Sequence, residues 1–91
     1  MSRIHFTRRH CLGVEEARVR IAQVAERLER EFHVVCQWQG NRLAFRRPGA
    51  SGSIDVGEDA VTLDIRLGLP LSLMRHTIAG RIDDKLTHVL S

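Results

Sequence analysis

Apolar and polar residues alternate along nearly the whole stretch from Val34 to Leu67, and this constrains the fold more than any other feature. A period of two is typical of strands with one solvent-facing side. The turns between these strands are short, so neighbouring strands must be antiparallel and no helix fits between them. The predicted strands are Val34 to Gln39, Arg42 to Arg47, Ser53 to Val56 and Val61 to Leu67, with Pro48 to Gly52 interpreted as a turn.

A further strand and two amphipathic helices flank this region. Residues Arg3 to Arg9 alternate like a strand, and apolar residues then recur at helical spacing from about Val14 to Phe32. The same helical spacing runs from Leu71 to about Leu90. Pro70 is expected to stop the preceding strand and Ser72 to cap this closing helix.

The order strand, helix, four strands, helix predicts an α+β fold. Only one face of the sheet alternates apolar, so both helices must pack on that face. We expect a single α+β domain over residues 1–91, with a five-stranded, mostly antiparallel curved sheet in a reduced helix-grip-like arrangement (β-α-β-β-β-β-α). The first strand should pair beside the last.

The composition, 43% hydrophobic and 27% charged, is ordinary for a soluble globular protein. No run approaches the roughly 18 apolar residues that a membrane-spanning helix needs. The segment from Met1 to Phe6 lacks the apolar stretch and cleavage site of an export signal. We therefore expect no membrane span, a cytoplasmic location, and reduced thiols at Cys11 and Cys36.

Thirteen of the fourteen positive charges are arginines, and the net charge is +3. Strand parity predicts that several arginines project from the outer face of the sheet, where they could bind phosphate, an anionic polymer or nucleic acid. Trp38 is predicted to face inward, which disfavours nucleic acid because single-strand binders need exposed aromatic side chains. The predicted contact residues are Arg42, Arg46 and Arg66. Asp55 and Asp64 are expected on the same face, where they partly neutralise this charge. Two stretches of the sequence hold arginines without acidic residues: Arg3, Arg8 and Arg9, and Arg42, Arg46 and Arg47.

A second candidate contact surface is the apolar entry to the closing helix, which contains Leu69, Leu71 and Leu73. If exposed, these side chains could dock on an apolar surface, a lipid or a protein partner. If buried, they would form the mouth of the core, as apolar residues at helix entries often do. The buried interpretation is favoured, and the exposure of the three leucines distinguishes the two.

No residue pattern indicates a catalytic, cofactor or metal site, and we expect a protein that is not an enzyme. His5 and His10 lack the spacing and the partner ligands of a zinc site, so they are interpreted as surface or capping histidines. The segment Ser51-Gly52-Ser53 is not a GxSxG nucleophile elbow. The predicted catalytic residues, cofactors and metal ligands are therefore none.

Several short motifs, spread over nearly the whole chain, match those of a known family. They are Ile4-His5, His10-Cys11-Leu12 followed by Glu15-Glu16-Ala17-Arg18, Leu43-Ala44-Phe45, Gly52-Ser53-Ile54-Asp55-Val56 and Leu67-Gly68-Leu69. In these motifs the chain resembles the small bacterial proteins of the polyhydroxyalkanoic acid system family. The resemblance implies an association with the synthesis or storage of polyhydroxyalkanoate granules, and it brings no catalytic residues.

Three functional hypotheses follow. The first, which rests on the resemblance, is a non-enzymatic accessory or binding protein that acts through its surface on a polyhydroxyalkanoate granule or a granule-associated protein. The second is a small protein that binds an apolar acyl ligand between the sheet and the closing helix, which requires a cavity of a few hundred Å³. The third is a basic nucleic-acid-binding module. The open edge of the strand from Val34 to Gln39 also makes a homodimer a structural option.

Overall fold

The computed structural model of the protein describes residues 2–69 and 71–90, which form a five-stranded antiparallel sheet and two helices. The strand order is β1-β5-β4-β3-β2, so the first strand pairs beside the last, as predicted. The predicted α+β class is confirmed. The elements are β1 (Ser2–Arg9), α1 (Gly13–Phe32), β2 (Val35–Gln39), β3 (Arg42–Arg47), β4 (Ala50–Val56), β5 (Ala60–Leu67), a 3-10 turn (Leu71–Met74) and α2 (Arg75–Leu90).

Strand β4 begins at Ala50, three residues earlier than the sequence analysis predicted. The turn needs only two residues, because Pro48 fixes the first turn position and Gly49 adopts φ +87° at the second, as in a type II turn. Gly52 is a strand residue whose lack of a side chain allows close packing. A Cβ atom there would lie 2.4 Å from a carbonyl oxygen of β5 and 3.1 Å from the ring of Phe45.

The core lies on one face of the sheet, under both helices. Side chains from all strands except β2 are buried together with the inward faces of α1 and α2. This confirms that both helices cover the single apolar face of the sheet. The fully buried members include Ile21 of α1, Leu43 of β3, Ile54 of β4, Val61, Leu63 and Leu67 of β5, and Leu86 of α2. In the described part of the chain no helix combines the length and the hydropathy needed to cross a bilayer.

Helix α1 ends in a left-handed residue. His33 adopts φ +56° and ψ +39°, and its backbone N–H donates to the carbonyl oxygen of Glu29 at 3.1 Å. This is the geometry in which a helix end normally carries glycine, because a Cβ atom is strained at positive φ. The chain therefore accepts local strain at His33 in order to turn from α1 into β2.

His10 is a buried residue that joins two loops. Its side chain is 6% exposed, its Nε2 bonds to the carbonyl oxygen of Gly57 at 3.1 Å, and its Nδ1 accepts the N–H of Leu12 at 3.2 Å. These two bonds require the neutral ring with its proton on Nε2. His10 is therefore a structural anchor between the β1–α1 loop and the β4–β5 turn.

The closing helix is preceded by a distinct turn. Residues Leu71–Met74 form a 3-10 turn, and α2 begins only at Arg75. Ser72 lies inside that turn, where its backbone N–H donates to the carbonyl oxygen of Gly68 at 2.9 Å, so the predicted helix cap at Ser72 is wrong. Pro70, which was predicted to stop the preceding strand, lies outside the described residues.

Candidate functional site

An apolar cleft of about 390 Å³ lies between α1, α2 and the inner face of the sheet. This volume falls within the range of small-ligand sites. The acyl-ligand hypothesis requires a cavity of a few hundred Å³, and the cleft has such a volume. The walls include Val24, Leu28 and Phe32 from α1 and Met74, Ile78 and Ile82 from the closing segment, and the floor includes Phe45, Ala50, Ile54, Leu63 and Leu67.

Two side-chain contacts tie the helices to each other and to the sheet at positions outside the cleft lining. Arg20 of α1 donates through Nη1 to the carbonyl oxygen of Val89 at 2.9 Å, which joins the first half of α1 to the last turn of α2. Arg8 of β1 binds the carboxylate of Asp83, and this hydrogen bond lowers the pKa of Asp83. The second half of α1 and the first half of α2 are left to flank the cleft.

Apolar side chains at the mouth of the cleft remain accessible to solvent. Phe32 is 42% exposed and Met74 is 52% exposed. On the floor and walls, Phe45, Ala50 and Ile78 are only partly buried although they pack against the core. An apolar ligand that entered here would cover surface that the fold itself leaves uncovered.

Five polar residues line the cleft: Glu31, Arg47, Thr77, Arg81 and Lys85. Arg47 lies on the inner face because it pairs with Ala50, whose side chain faces the cleft. Its Nη1 donates to the carbonyl oxygen of Phe32 at 3.2 Å, at the end of α1. Its Nε is shielded from solvent and has no hydrogen-bond partner among the described residues.

The outer face of the sheet carries the arginines that parity predicted there. Arg42 binds Asp55 through Nε at 2.7 Å, and Arg3 binds Asp64 through Nη2 at 2.6 Å. The hydrogen bond from Arg3 lowers the pKa of Asp64. The two outer aspartates are therefore each held by an arginine, as expected from their shared face.

Arg46 and Arg66, the two other predicted contact residues, lie in one row across the outer face. The register places Arg46 opposite Ser51 and Ser51 opposite Arg66, so the two arginines flank a serine on adjacent strands. Among the described residues, no acidic side chain lies within salt-bridge distance of either. Both arginines therefore add positive charge to the outer face without an ion-pair partner among the described residues.

Trp38 lies on the inner side of the sheet, opposite Leu43, as predicted. The guanidinium of Arg18 stacks over its ring at 4.8 Å from the ring centre. The sheet's outer face presents no aromatic side chain in the described strands, since the outward residues of β2 are Val35, Gln37 and Gln39. This arrangement lacks the exposed stacking platform that single-stranded nucleic acids use.

The apolar entry to the closing helix is largely exposed. Leu69 is 76% and Leu73 is 80% exposed, whereas Leu71 is half-buried, packs against the core and lines the cleft. The favoured buried interpretation is wrong for Leu69 and Leu73. The reason is the 3-10 turn, which directs Leu71 toward the cleft while its neighbours face solvent.

Titratable side chains do not gather elsewhere in the part of the chain that the structure describes. No group of three or more His, Cys, Asp or Glu residues is close enough there to hold a metal ion. Cys11 and Cys36 are free thiols, the first exposed and the second partly buried. Burial, with a smaller contribution from the charge of Glu29, raises the pKa of Cys36 and keeps its sulfur protonated.

The sequence analysis did not identify Arg47, Arg81 and Lys85 as residues of one site. Arg47 was grouped with its neighbours as a basic cluster, although strand parity separates it from Arg46. Arg81 and Lys85 are one helical turn apart and would share a face on any helix through them. Their meeting with Arg47 depends on how the two helices are placed over the sheet, which no local pattern reveals.

A family model described as "Putative polyhydroxyalkanoic acid system protein" matches residues 4–90, and the chain therefore belongs to this family. The resemblance identified from the sequence motifs is thereby confirmed. No curated protein and no solved structure matches the chain. The family description connects the chain to the polyhydroxyalkanoic acid system.

Proposed function

We propose that this chain is a non-enzymatic binding protein of the polyhydroxyalkanoic acid system that holds an apolar acyl chain in the cleft between α1, α2 and the sheet. The observation that carries the proposal is the cleft of about 390 Å³, whose walls and floor are mostly aliphatic and aromatic. The family description supplies the class of ligand, because hydroxyalkanoic acids and their oligomers carry alkyl chains.

The chemistry of the cleft supports binding. Its apolar lining gains free energy from each methylene that leaves water, at about 0.8 kcal/mol per group. Its polar groups are three cations, one carboxylate and one hydroxyl. These can orient a ligand without taking part in bond breaking.

The test is a binding measurement with a matched pair of cleft variants. Purified protein is titrated with decanoic acid and with 3-hydroxydecanoic acid by calorimetry. Ala50→Phe fills the floor of the cleft and should abolish binding of both. Ala44→Phe places the same ring on the opposite face, since Ala44 pairs with Ser53 there, and should bind like the wild type.

Two results would contradict the proposal. One is that the wild-type protein binds neither acid. The other is that Ala50→Phe and Ala44→Phe bind equally well, which would locate the ligand outside the cleft. Circular dichroism of both variants checks that each has kept the fold.

The non-enzymatic part of the proposal has its own test. The protein is incubated with a 3-hydroxyacyl thioester and with suspended polyester, and released thiol and free acid are measured. We expect release at the rate of a buffer blank. Turnover that Ala50→Phe removes would show that the cleft is catalytic.

The exposed apolar entry to α2 favours a second role, attachment to the surface of a polyester granule. Leu69 and Leu73 together present large apolar side chains next to the mouth of the cleft. Transfer of such side chains from water to a polymer surface is favourable. A protein attached to a granule through Leu69 and Leu73 would hold its cleft next to the polyester, which is a source of acyl chains.

Cosedimentation with polyester particles tests this second role. The double variant Leu69→Ser with Leu73→Ser should remain in the supernatant, whereas the wild type pellets. Val19→Ser is the control, because Val19 is 53% exposed on α1 and lies outside the cleft lining. Equal pelleting of the wild type and the double variant would exclude this segment as the attachment point.

A further inference from the structure

We infer that the cleft selects acyl chains that end in a carboxylate, with Arg47 as the principal carboxylate-binding residue and Arg81 as its partner across the cleft. The inference rests on the proposed function and specifies its ligand. It follows from the hydrogen bonding of Arg47, from the charges lining the cleft, and from the way other arginines in this protein bind carboxylates.

Arg47 has one side of its guanidinium bound to the protein and the other without an acceptor among the described residues. Nη1 is held by the carbonyl oxygen of Phe32, while Nε is shielded from solvent without an acceptor among the described residues. A buried donor without an acceptor costs free energy that a suitable acceptor recovers. A carboxylate from the ligand is such an acceptor, and the inference requires the guanidinium to turn so that Nε reaches it.

Two other arginines show how that same edge binds a carboxylate. Arg3 uses Nε and Nη2 on the two oxygens of Asp64, at 2.9 and 2.6 Å. Arg42 uses Nε and Nη2 on the two oxygens of Asp55, at 2.7 and 3.3 Å. The Nε and Nη2 edge is the one that Arg47 keeps free of protein acceptors, and it matches the geometry of a carboxylate.

The charges around the cleft point to the same ligand. Arg81 and Lys85 line it from successive turns of α2, and with Arg47 they give three positive groups against the single carboxylate of Glu31. No salt bridge joins any of these four within the described chain. A carboxylate on the ligand would be attracted by this excess positive charge, whereas a neutral end group would not.

The simpler role of Arg47 is to cap α1, since its bond to the carbonyl of Phe32 lies at the helix end. A purely capping residue would affect stability and would affect all ligands alike. A carboxylate-binding residue would instead change the preference between an acid and a neutral molecule of the same length. The ratio of the two affinities therefore separates the two roles.

The experiment compares decanoic acid with decan-1-ol at about pH 8, where the acid is ionised. The wild-type protein should bind the acid about tenfold more tightly, the size expected of a charge-assisted hydrogen bond that is partly open to solvent. Arg47→Met should bring the two affinities to within about threefold of each other. Arg81→Gln should lower the preference in the same direction.

Matched controls come from neighbouring residues that face away from the cleft. Arg46→Met changes the adjacent residue on the outer face of β3 and should keep the full preference for the acid. Arg75→Gln changes an exposed arginine of α2 outside the cleft lining and should do the same. If Arg47→Met does not fold, the comparison of Arg81→Gln with its control Arg75→Gln still shows whether cleft arginines cause the preference for the acid.

The outcomes are distinguishable. Equal binding of acid and alcohol by the wild type would overturn the carboxylate inference while leaving the proposed function in place. A preference for the acid that survives both Arg47→Met and Arg81→Gln would overturn the assignment of the residues. Absence of binding by either molecule would remove the proposed function and this inference with it.

Discussion

The length of the bound acyl chain should determine its affinity, up to a limit set by the cleft. Taking about 30 Å³ per methylene, close to the volume of one water molecule in the liquid, the cleft of about 390 Å³ holds on the order of ten to thirteen carbon atoms. Each carbon below that limit leaves water for an apolar surface. Carbons beyond it extend back into solvent and contribute little.

The size of each step follows from the free energy of burying a methylene. Two methylenes at about 0.8 kcal/mol each give about 1.6 kcal/mol, or about 15-fold in affinity when both are fully buried. Phe32 and Met74 leave the mouth open, so part of the chain keeps its contact with water. We therefore expect between about fivefold and about 15-fold for every two carbons from six to twelve, and a plateau by fourteen to sixteen.

Isothermal titration calorimetry of the saturated even-numbered acids measures this series, at concentrations below micelle formation. The binding heat capacity should become more negative with each step up to the plateau, because apolar surface is being buried. Equal affinity for the six-carbon and twelve-carbon acids would refute the reasoning. Affinity that keeps rising at sixteen carbons would also refute it, since it would show that the cleft does not limit the ligand.

The remaining predictions concern the scaffold. His10→Ala should lower the free energy of unfolding by about 1–2 kcal/mol because it removes a buried side chain and its hydrogen bonds to the Gly57 carbonyl and the Leu12 N–H, and His10→Gln, which can restore one bond, should lie between it and the wild type in urea denaturation. His33→Gly should raise the free energy of unfolding by about 1 kcal/mol in the same assay, since glycine adopts the left-handed conformation without strain. Arg3 lowers the pKa of Asp64 in the folded protein. Their ion pair therefore stabilises the fold at pH values above the ordinary carboxyl pKa, and this stabilisation is lost as the pH falls through the lowered pKa of Asp64. Asp64→Asn should make the free energy of unfolding less dependent on pH in that acidic range. An unchanged pH dependence would contradict the role given to the pair of Arg3 and Asp64.

Much of the fold could be predicted because local pattern and tertiary contact agree. Alternation alone predicted β3 at Arg42 to Arg47, and the absence of room for a helix predicted an antiparallel order for the last four strands. The start of β4 was mispredicted because Ala50, Ser51 and Gly52 have the composition of a turn. Their pairing with β3 and β5 decides their structure, and that pairing depends on residues distant in sequence.

The candidate site was harder to predict from the sequence than the fold. The sequence predicted a face of arginines and an apolar entry to α2, and both exist, but the cleft between the helices depends on where each helix is anchored. Arg20 and Arg8 supply two of those anchors through Val89 and Asp83, at sequence separations of 69 and 75 residues. Periodicity reports which side of a helix faces the core and carries no information about the gap left between two helices.

The open cleft leaves apolar surface uncovered in a small domain, and this bears on the proposed function. A chain of 91 residues buries a modest fraction of its surface on folding and has little stability to spare. Filling the cleft with larger apolar side chains on its floor would add apolar contacts within the protein itself. A ligand that fills the gap would provide those contacts instead, and at a concentration one hundred times its dissociation constant it would add about 2.7 kcal/mol to the stability of the fold. Under the proposed function, an acyl chain would complete the core, and the unfilled form would be the less stable of the two states.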